Sequence, residues 1–463
     1  MSDSPSHSNE SRFSVILEAP IPGLITRLAI PTVISMLVTS IYNMADTFFV
    51  SQLGTSASGA VGIVFSLMAI IQAVGFMLGM GAGSLVSRNL GAGKIEDAHC
   101  IASVAFFSAL AGGSLIALGG LIFSDTLMSV LGATPTILPY AEAYGHYILL
   151  GAPVMCSSFV LNNLLRSQGR AALSMVGLTI GGLLNIILDP IFIFGLKMGI
   201  TGAAIATLTS QCVSFLLLLL MFLRGKSTAQ LRFSLFLPQF GRWFPHILKI
   251  GLPSLSRQGL AALSTVALNV QAGVYGDAAV AGMSITGRIF MFVLAIMVGL
   301  GQGFQPVAGF CYGARRYDRV KKAYLFILSV GFVILTVMGL VLFIWAPEIV
   351  GLFRKDSEVI EVGAAAIRYQ SLLMPLVPLV VSGNMLFQST GHAARATLLS
   401  SCRQGLFFFP LVFILPKLFG LAGVEVLQPV ADFFTALLSF PFIVAFFKQM
   451  TREGEGLSKL KQT

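Results

Sequence analysis

Two polar side chains interrupt the apolar stretch Gly181 to Gly195: Asn185 and Asp189, four residues apart and so on one face of a helix. Pro190 follows at once. A proline inside a helix lacks the N–H and clashes with the carbonyl four residues back, here that of Ile186. A carboxylate, an amide and a freed carbonyl form an oxygen-rich set suited to a proton or a small cation. Of nineteen acidic residues, only Asp46, Asp189 and Asp432 fall well within apolar runs. An ionisable group at membrane depth costs at least ~2.5 kcal/mol and by default marks a transport path. Thr39, Asn43 and Asp46 share one helical face. Asp46, Asp189 and Thr207 each lie about six to eight residues from the outer ends of their segments, roughly 10 Å at 1.5 Å per residue. Three helices therefore reach one level, either as a structural hydrogen-bond cluster or as a cation or proton site. Asp432, which follows Gln428-Pro429, reads as structural or as a secondary substrate or proton residue.

The elements that must position these residues are membrane helices. The chain has 463 residues, of which 56% are hydrophobic and 10% charged; its mean hydropathy is +0.88. Soluble domains carry about 25% charged residues, so an all-α integral membrane protein is expected. Twelve apolar segments fall near 24–50, 58–84, 98–123, 136–164, 170–196, 200–224, 246–274, 279–305, 323–346, 362–387, 396–418 and 421–447. Most are long enough for a ~30 Å core. The polar first residues contain no apolar signal-peptide run. With the N-terminus inside, the inner loops hold Arg88, Lys94, Arg166, Arg170, Arg224, Lys226 and the run Arg315 to Lys322, whereas the outer loops hold only Lys197, Arg354, Lys355 and Lys417. Both termini are expected to be cytoplasmic in a multi-pass protein of the cytoplasmic membrane. The same rule accounts for the net charge of +10, so no nucleic-acid partner is implied. The five cysteines and five histidines are scattered without metal spacing, and Gly79 to Gly83 ends an apolar span, as close helix packing requires and a nucleotide loop does not.

A shift of 222 residues lays the first half on the second: Pro31 meets Pro253, Gly54 meets Gly276, Gly91 meets Gly313, Pro153 meets Pro375 and Asn162 meets Asn384. Six spans per half give both halves one orientation, hence two pseudo-symmetric six-helix lobes able to work by alternating access. The expected divisions are an N-terminal tail 1–23, an N-terminal lobe 24–224, a cytoplasmic linker 225–245, a C-terminal lobe 246–447 and a tail 448–463. Glycines and prolines recur, among them the helix-bending Pro31. The acids do not: Asp46 falls on Leu268, Asp189 on Leu411 and Asn185 on Phe407. Scaffold is duplicated and chemistry is not.

These residues resemble the multidrug and toxic compound extrusion (MATE) family, in a DinF- and MepA-like branch. The likeness runs from about Leu24 to Phe447. It rests on Ala29-Ile30-Pro31, Tyr42-Asn43-Met44-Ala45-Asp46-Thr47, Asn185 with Asp189-Pro190, Gly251-Leu252-Pro253-Ser254, Tyr275-Gly276-Asp277-Ala278-Ala279 and Gly301-Gln302-Gly303-Phe304-Gln305-Pro306. The resemblance implies a V-shaped pair of lobes exporting cationic amphipathic drugs in exchange for Na⁺ or H⁺, with no other cofactor, as a functional monomer in the lipid bilayer. It places the ion site on Asp46, Asn185, Asp189 and Thr207, and cavity candidates on Tyr42, Asn43, Tyr144, Asn162 and Asp432. The acidic pair of the family's NorM-like branch has no match in the second half, where Leu268 follows Ala267.

Two other readings compete. A lipid-linked oligosaccharide flippase of the same superfamily would show fourteen spans and a basic cavity. An intramembrane enzyme could use Asp46 and Asp189 as a proton-sharing dyad, but no Gly-x-Gly-Asp or aspartate-rich motif surrounds them, and a whole-length repeat serves transport better. The absence of a phosphate loop argues against ATP-driven transport.

Overall fold

The computed structural model describes residues 15–460; the outermost parts of the two expected tails, 1–14 and 461–463, lie outside the described residues. Every regular element among them is helical. In chain order they are α1 (Ile21–Ser51), α2 (Thr55–Gly91), α3 (Ile95–Ile122), α4 (Ser124–Val130), α5 (Leu138–Ser167), α6 (Ala171–Pro190) and α7 (Gly199–Leu223). The second half holds α8 (Phe236–Gly273), α9 (Asp277–Gly313), α10 (Tyr317–Ile344), α11 (Ala346–Phe353), α12 (Ser357–Leu373) and α13 (Val377–Thr390). It ends with α14 (Ala393–Ser401), α15 (Phe408–Phe419), α16 (Leu421–Glu425) and α17 (Leu427–Leu460). Eleven helical stretches among the described residues are long and apolar enough to cross a membrane. The remaining expected span, 246–274, lies within the 38-residue α8, whose apolar character is diluted by Lys249, Arg257, Gln258 and two internal prolines.

The repeat is visible in backbone detail. Gly54 and Gly276, 222 positions apart, precede α2 and α9 with φ of 116° and 102°. Gly93 has φ 76°, and its repeat mate is Arg315, a non-glycine residue held at φ 57°. Asn162 donates through Nδ2 to the Ser174 carbonyl at 2.9 Å. Its mate Asn384 donates to the Ala396 carbonyl at 2.6 Å, so the same clamp ties a helix to its successor in each half.

By packing, the described residues divide into one compact unit of 30–255 and a second of 15–29 with 256–460. Each of α1 and α8 thus begins in one unit and ends in the other, changing within two residues of the repeated Pro31 and Pro253. The lobe boundaries expected at 24 and 246 are not where packing changes: 24–29 belong with the second unit and 246–255 with the first. The expected linker is also tied down. Gln168 Oε1 accepts from the Ser227 hydroxyl and from the amides of Thr228 and Ala229 at 3.1, 2.7 and 3.0 Å. His99 Nδ1 accepts the Gln230 amide at 2.8 Å.

In the first unit α5 is the central helix, buried along most of its length, with α2, α3, α6 and α7 around it. Small residues set its spacing. A Cβ on Gly113 would fall 2.7 Å from the Ala152 carbonyl, and one on Gly79 2.9 Å from the Phe159 carbonyl. At Gly81 a Cβ would collide with the Ile247 carbonyl, so the glycine run serves close packing. In the second unit, Ile289, Val293 and Met297 of α9 pack with Leu335 of α10 and Ile367 of α12. There the tenth expected span is broken by a 3₁₀ turn at Met374–Leu376 between α12 and α13. Pro375 and Pro378 remove two helix donors at that point.

Candidate functional site

The polar cluster of the first unit is assembled from four helices. Earlier in α1, hydroxyl groups satisfy themselves locally: Ser35 donates to the Pro31 carbonyl at 3.0 Å and Thr39 to that of Ser35 at 2.8 Å. Such back-bonding spends the hydroxyl proton within the helix. Asp46, near the end of α1, has no such partner in its own helix. Its Oδ2 accepts from the Tyr144 hydroxyl of α5 at 3.4 Å. In α6, Asn185 Nδ2 donates to Asp189 Oδ1 at 3.2 Å, as their four-residue spacing requires. The same nitrogen lies 3.3 Å from the Thr207 hydroxyl oxygen of α7. Thr207 also lies beside the Tyr144 hydroxyl, and Asp46 is close enough to Asp189 for their charges to interact.

All five side chains are buried; Asp189 is fully enclosed and Tyr144 is 1% exposed. Three oxygens of the cluster, Asp46 Oδ1, Asn185 Oδ1 and Asp189 Oδ2, are buried and accept no hydrogen bond. No lysine or arginine pairs with either carboxylate among the described residues. Unsatisfied buried acceptors are costly, and charged ones more so. A bound proton or a hard cation coordinated by oxygen would satisfy them. Asp46, Asn185, Asp189 and Thr207 supply that donor set.

Pro190 acts one step beyond the site. Instead of leaving a simple bend, it is followed by a wider π-type turn over Ile191–Gly195, where the Leu196 amide reaches the Ile191 carbonyl at 2.8 Å. Turns of this kind concentrate at functional sites. The turn is held in place by α7, since a Cβ on Gly202 would sit 2.7 Å from the Phe192 carbonyl. Tyr42 packs over Gly182, one turn before Asn185. Both Tyr42 and Asn43 are half-buried, on α1 near Asp46.

Two sequence candidates lie outside the cluster. Asn162 is committed to Ser174, as its repetition in Asn384 foreshadows. Asp432, in the second unit, is held by Arg403 through two oxygens at 2.6 and 3.1 Å and by Gln428 at 2.9 Å. Arg403 is a functional-site residue that the sequence reading did not single out. Its signal was present, a cation well inside the apolar run 396–418, where the other cation, Lys417, lies at the end. Arg403 sits in a second π-type turn, Cys402–Leu406. That turn leaves the Gln404 carbonyl to the Ser264 hydroxyl of α8 at 2.6 Å.

Comparison with known proteins agrees with the fold and the repeat. The MatE family model matches the chain twice, over residues 31–191 and 253–414, with starts separated by the 222 residues of the internal repeat. The multidrug export protein MepA of Staphylococcus aureus (strain MSSA476) is 29% identical over 440 residues, covering 94% of this chain and 96% of that protein. MepA of Staphylococcus haemolyticus (strain JCSC1435) is 28% identical over 447 residues, 96% and 98% of the two chains. Among solved structures, a MOP superfamily transporter from Pyrococcus furiosus matches with a TM-score of 0.89 at 28% identity, over 94% of this chain and 98% of that one. An outward-facing multidrug resistance MATE family transporter matches equally, with a TM-score of 0.89, 28% identity and the same coverage. With its family model matched in both halves and its helical fold shared along nearly the whole length, the chain belongs to the MatE family and is a multi-pass membrane transporter rather than an enzyme.

Proposed function

We propose that this transporter is a secondary active multidrug antiporter that exports cationic amphipathic compounds in exchange for Na⁺ or H⁺ by alternating access. In this reading it works as a monomer in the cytoplasmic membrane with both termini inside. The observation that carries the ion coupling is the group of three buried, unpartnered oxygens on Asp46, Asn185 and Asp189. Two carboxylates without a neighbouring cation attract a proton, a sodium ion or a cationic drug, and these compete for the same negative charge. An ion taken up there neutralises the charge that favours the drug, which links ion uptake to drug release; the coupling is reciprocal. Tyr144 and Thr207 hold the carboxylate and amide groups in place, and the π-type turn after Pro190 gives α6 a backbone element able to change its hydrogen bonding. The MepA relatives, named as multidrug export proteins, support drug export as the activity.

The test is ethidium transport in proteoliposomes with Na⁺ and pH gradients imposed separately. At least one inward ion gradient should drive drug the other way, and Asp189→Asn should abolish that response. Ethidium movement indifferent to both gradients would sink the antiport reading.

A further inference from the structure

The start of α8 has a face that the transport reading does not use. At 38 residues the helix is ~57 Å long, nearly twice a ~30 Å hydrocarbon core, so its first turns belong at the membrane interface. Within the first unit, Trp243, Ile247 and Ile250 bury one side of this stretch. The adjoining side is aromatic and partly uncovered: Phe240 is exposed, while Phe236 and Phe244 are half-buried, Phe236 beside Phe107 of α3. Phe236, Phe240 and Phe244 follow one another at four-residue spacing, with ring centroids 5.6 and 4.5 Å apart. Phe233 extends the ladder and is 65% exposed. By helical spacing, Arg242, His246 and Lys249 fall on the side opposite the phenyl stripe.

A helix in contact with water would not turn phenyl rings outward over several turns. This pattern, an apolar stripe opposite a cationic face, is that of a helix lying in a membrane interface. The segment is bounded by span ends: α8 runs on unbroken into the expected span 246–274, and the exposed Leu223 closes α7. The charge around it is cationic and partly uncommitted. Arg232 and Arg242 lie 3.8 and 3.7 Å from Glu96 and Asp97. Arg224, Lys226 and Lys249 are exposed and make no ion pair among the described residues.

We propose that residues 223–249 form a docking surface for anionic phospholipid, with the phenyl ladder at the acyl boundary and Arg224, Lys226 and Lys249 holding headgroup phosphates. The chain contains two tryptophans, so Phe240→Trp combined with Trp243→Phe and Trp345→Phe leaves a single fluorescent probe on the exposed stripe. The full-length protein is reconstituted in neutral lipid with increasing dibrominated phosphatidylglycerol or dibrominated phosphatidylcholine. Both lipids should quench this tryptophan, the anionic one at a mole fraction lower by about fivefold or more, as roughly one uncompensated cation at the surface would produce. Arg224→Gln with Lys226→Gln and Lys249→Gln should erase that preference and leave the quenching. Equal quenching by the two lipids overturns the proposal. So does no quenching by either, which would mean that protein, such as a second copy, covers the face, or a preference that survives the triple substitution. If the triple variant does not insert, the wild-type preference decides alone: it must shrink as salt rises, and a salt-independent preference overturns the assignment.

Discussion

Removing the charge of Asp432 tests whether this buried acid of the second unit is scaffold or chemistry. Its carboxylate is 3% exposed and grips Arg403, itself 15% exposed, through two oxygens. Asp432→Asn leaves that guanidinium without a counter-charge. Breaking a buried pair from one side costs about 3–5 kcal/mol, and the remaining amide oxygen places the loss near the lower end. Replacing both partners, Asp432→Asn with Arg403→Gln, leaves two neutral amides that can still bond to each other and to Gln428. The double variant should therefore recover most of the loss, with a coupling of about 2 kcal/mol between the sites. The assay is reversible unfolding of the purified protein in mixed micelles, paired with ethidium efflux from proteoliposomes. The double variant should transport whenever it is folded. The reasoning fails if Asp432→Asn is as stable as wild type, or if a stable double variant has lost efflux. The second result would make Asp432 part of the transport chemistry.

Asp46→Asn and Asp189→Asn should each abolish ion-driven efflux at normal expression, because the substitution keeps side-chain size and removes only charge; wild-type drug resistance in both variants would move the coupling site elsewhere. In the wild type, drug binding to purified protein should weaken as pH falls or sodium rises, since both neutralise the carboxylates, and Asp189→Asn should lose both dependences; an affinity blind to both ions contradicts competition. Pro190→Ala restores a helix donor and should let the π-type turn relax toward a regular helix, slowing transport more than it changes the unfolding midpoint; an unchanged rate would make the turn incidental. Arg315→Gly should stabilise by about 0.5–1 kcal/mol, the left-handed penalty of a side chain at φ 57° less the glycine's greater unfolded freedom; a lower unfolding midpoint would mean that the arginine's own contacts outweigh the strain.

Much of the candidate site was legible because helical periodicity ties sequence distance to spatial direction. Asn185 and Asp189, four apart, do face each other, and counting residues from the span ends placed Thr207 at their level, where it meets Asn185 at 3.3 Å. The repeat was legible because close packing leaves little choice of residue: Gly54 and Gly276 turn with the same backbone, and Asn162 and Asn384 make the same clamp. Tyr144 was reachable only through resemblance, since a tyrosine in a long apolar helix carries no local mark of what its hydroxyl meets. The two π-type turns were not legible. Pro190 announced a disturbed helix, but whether the freed groups bend it or widen it depends on what packs alongside, here Gly202 of α7. Nothing local to α1 or α8 tells which residues change packing partners near Pro31 and Pro253, because that is decided by neighbours far away in the chain.

The divergence between the two halves bears on how a duplicated scaffold acquires a direction of coupling. At Asp46 and Asp189 the first unit keeps carboxylates with no cation beside them, and their mates in the second are Leu268 and Leu411. In the second unit Asp432 is already neutralised, at Arg403, whereas Glu425, also buried, makes no ion pair among the described residues. Arg403 and Asp432 fall on Gly181 and Ser210 of the first half, so this pair is absent there in turn. Under the proposed antiport, a rise in proton or sodium activity would change the charge of the first cluster readily, while a change at Asp432 would first have to break an ion pair. Two units that share turns and clamps thus differ in whether these carboxylates have a cation beside them. A leucine in place of an aspartate, and an arginine in place of a glycine, are enough to make the two halves hold their carboxylates differently at these positions.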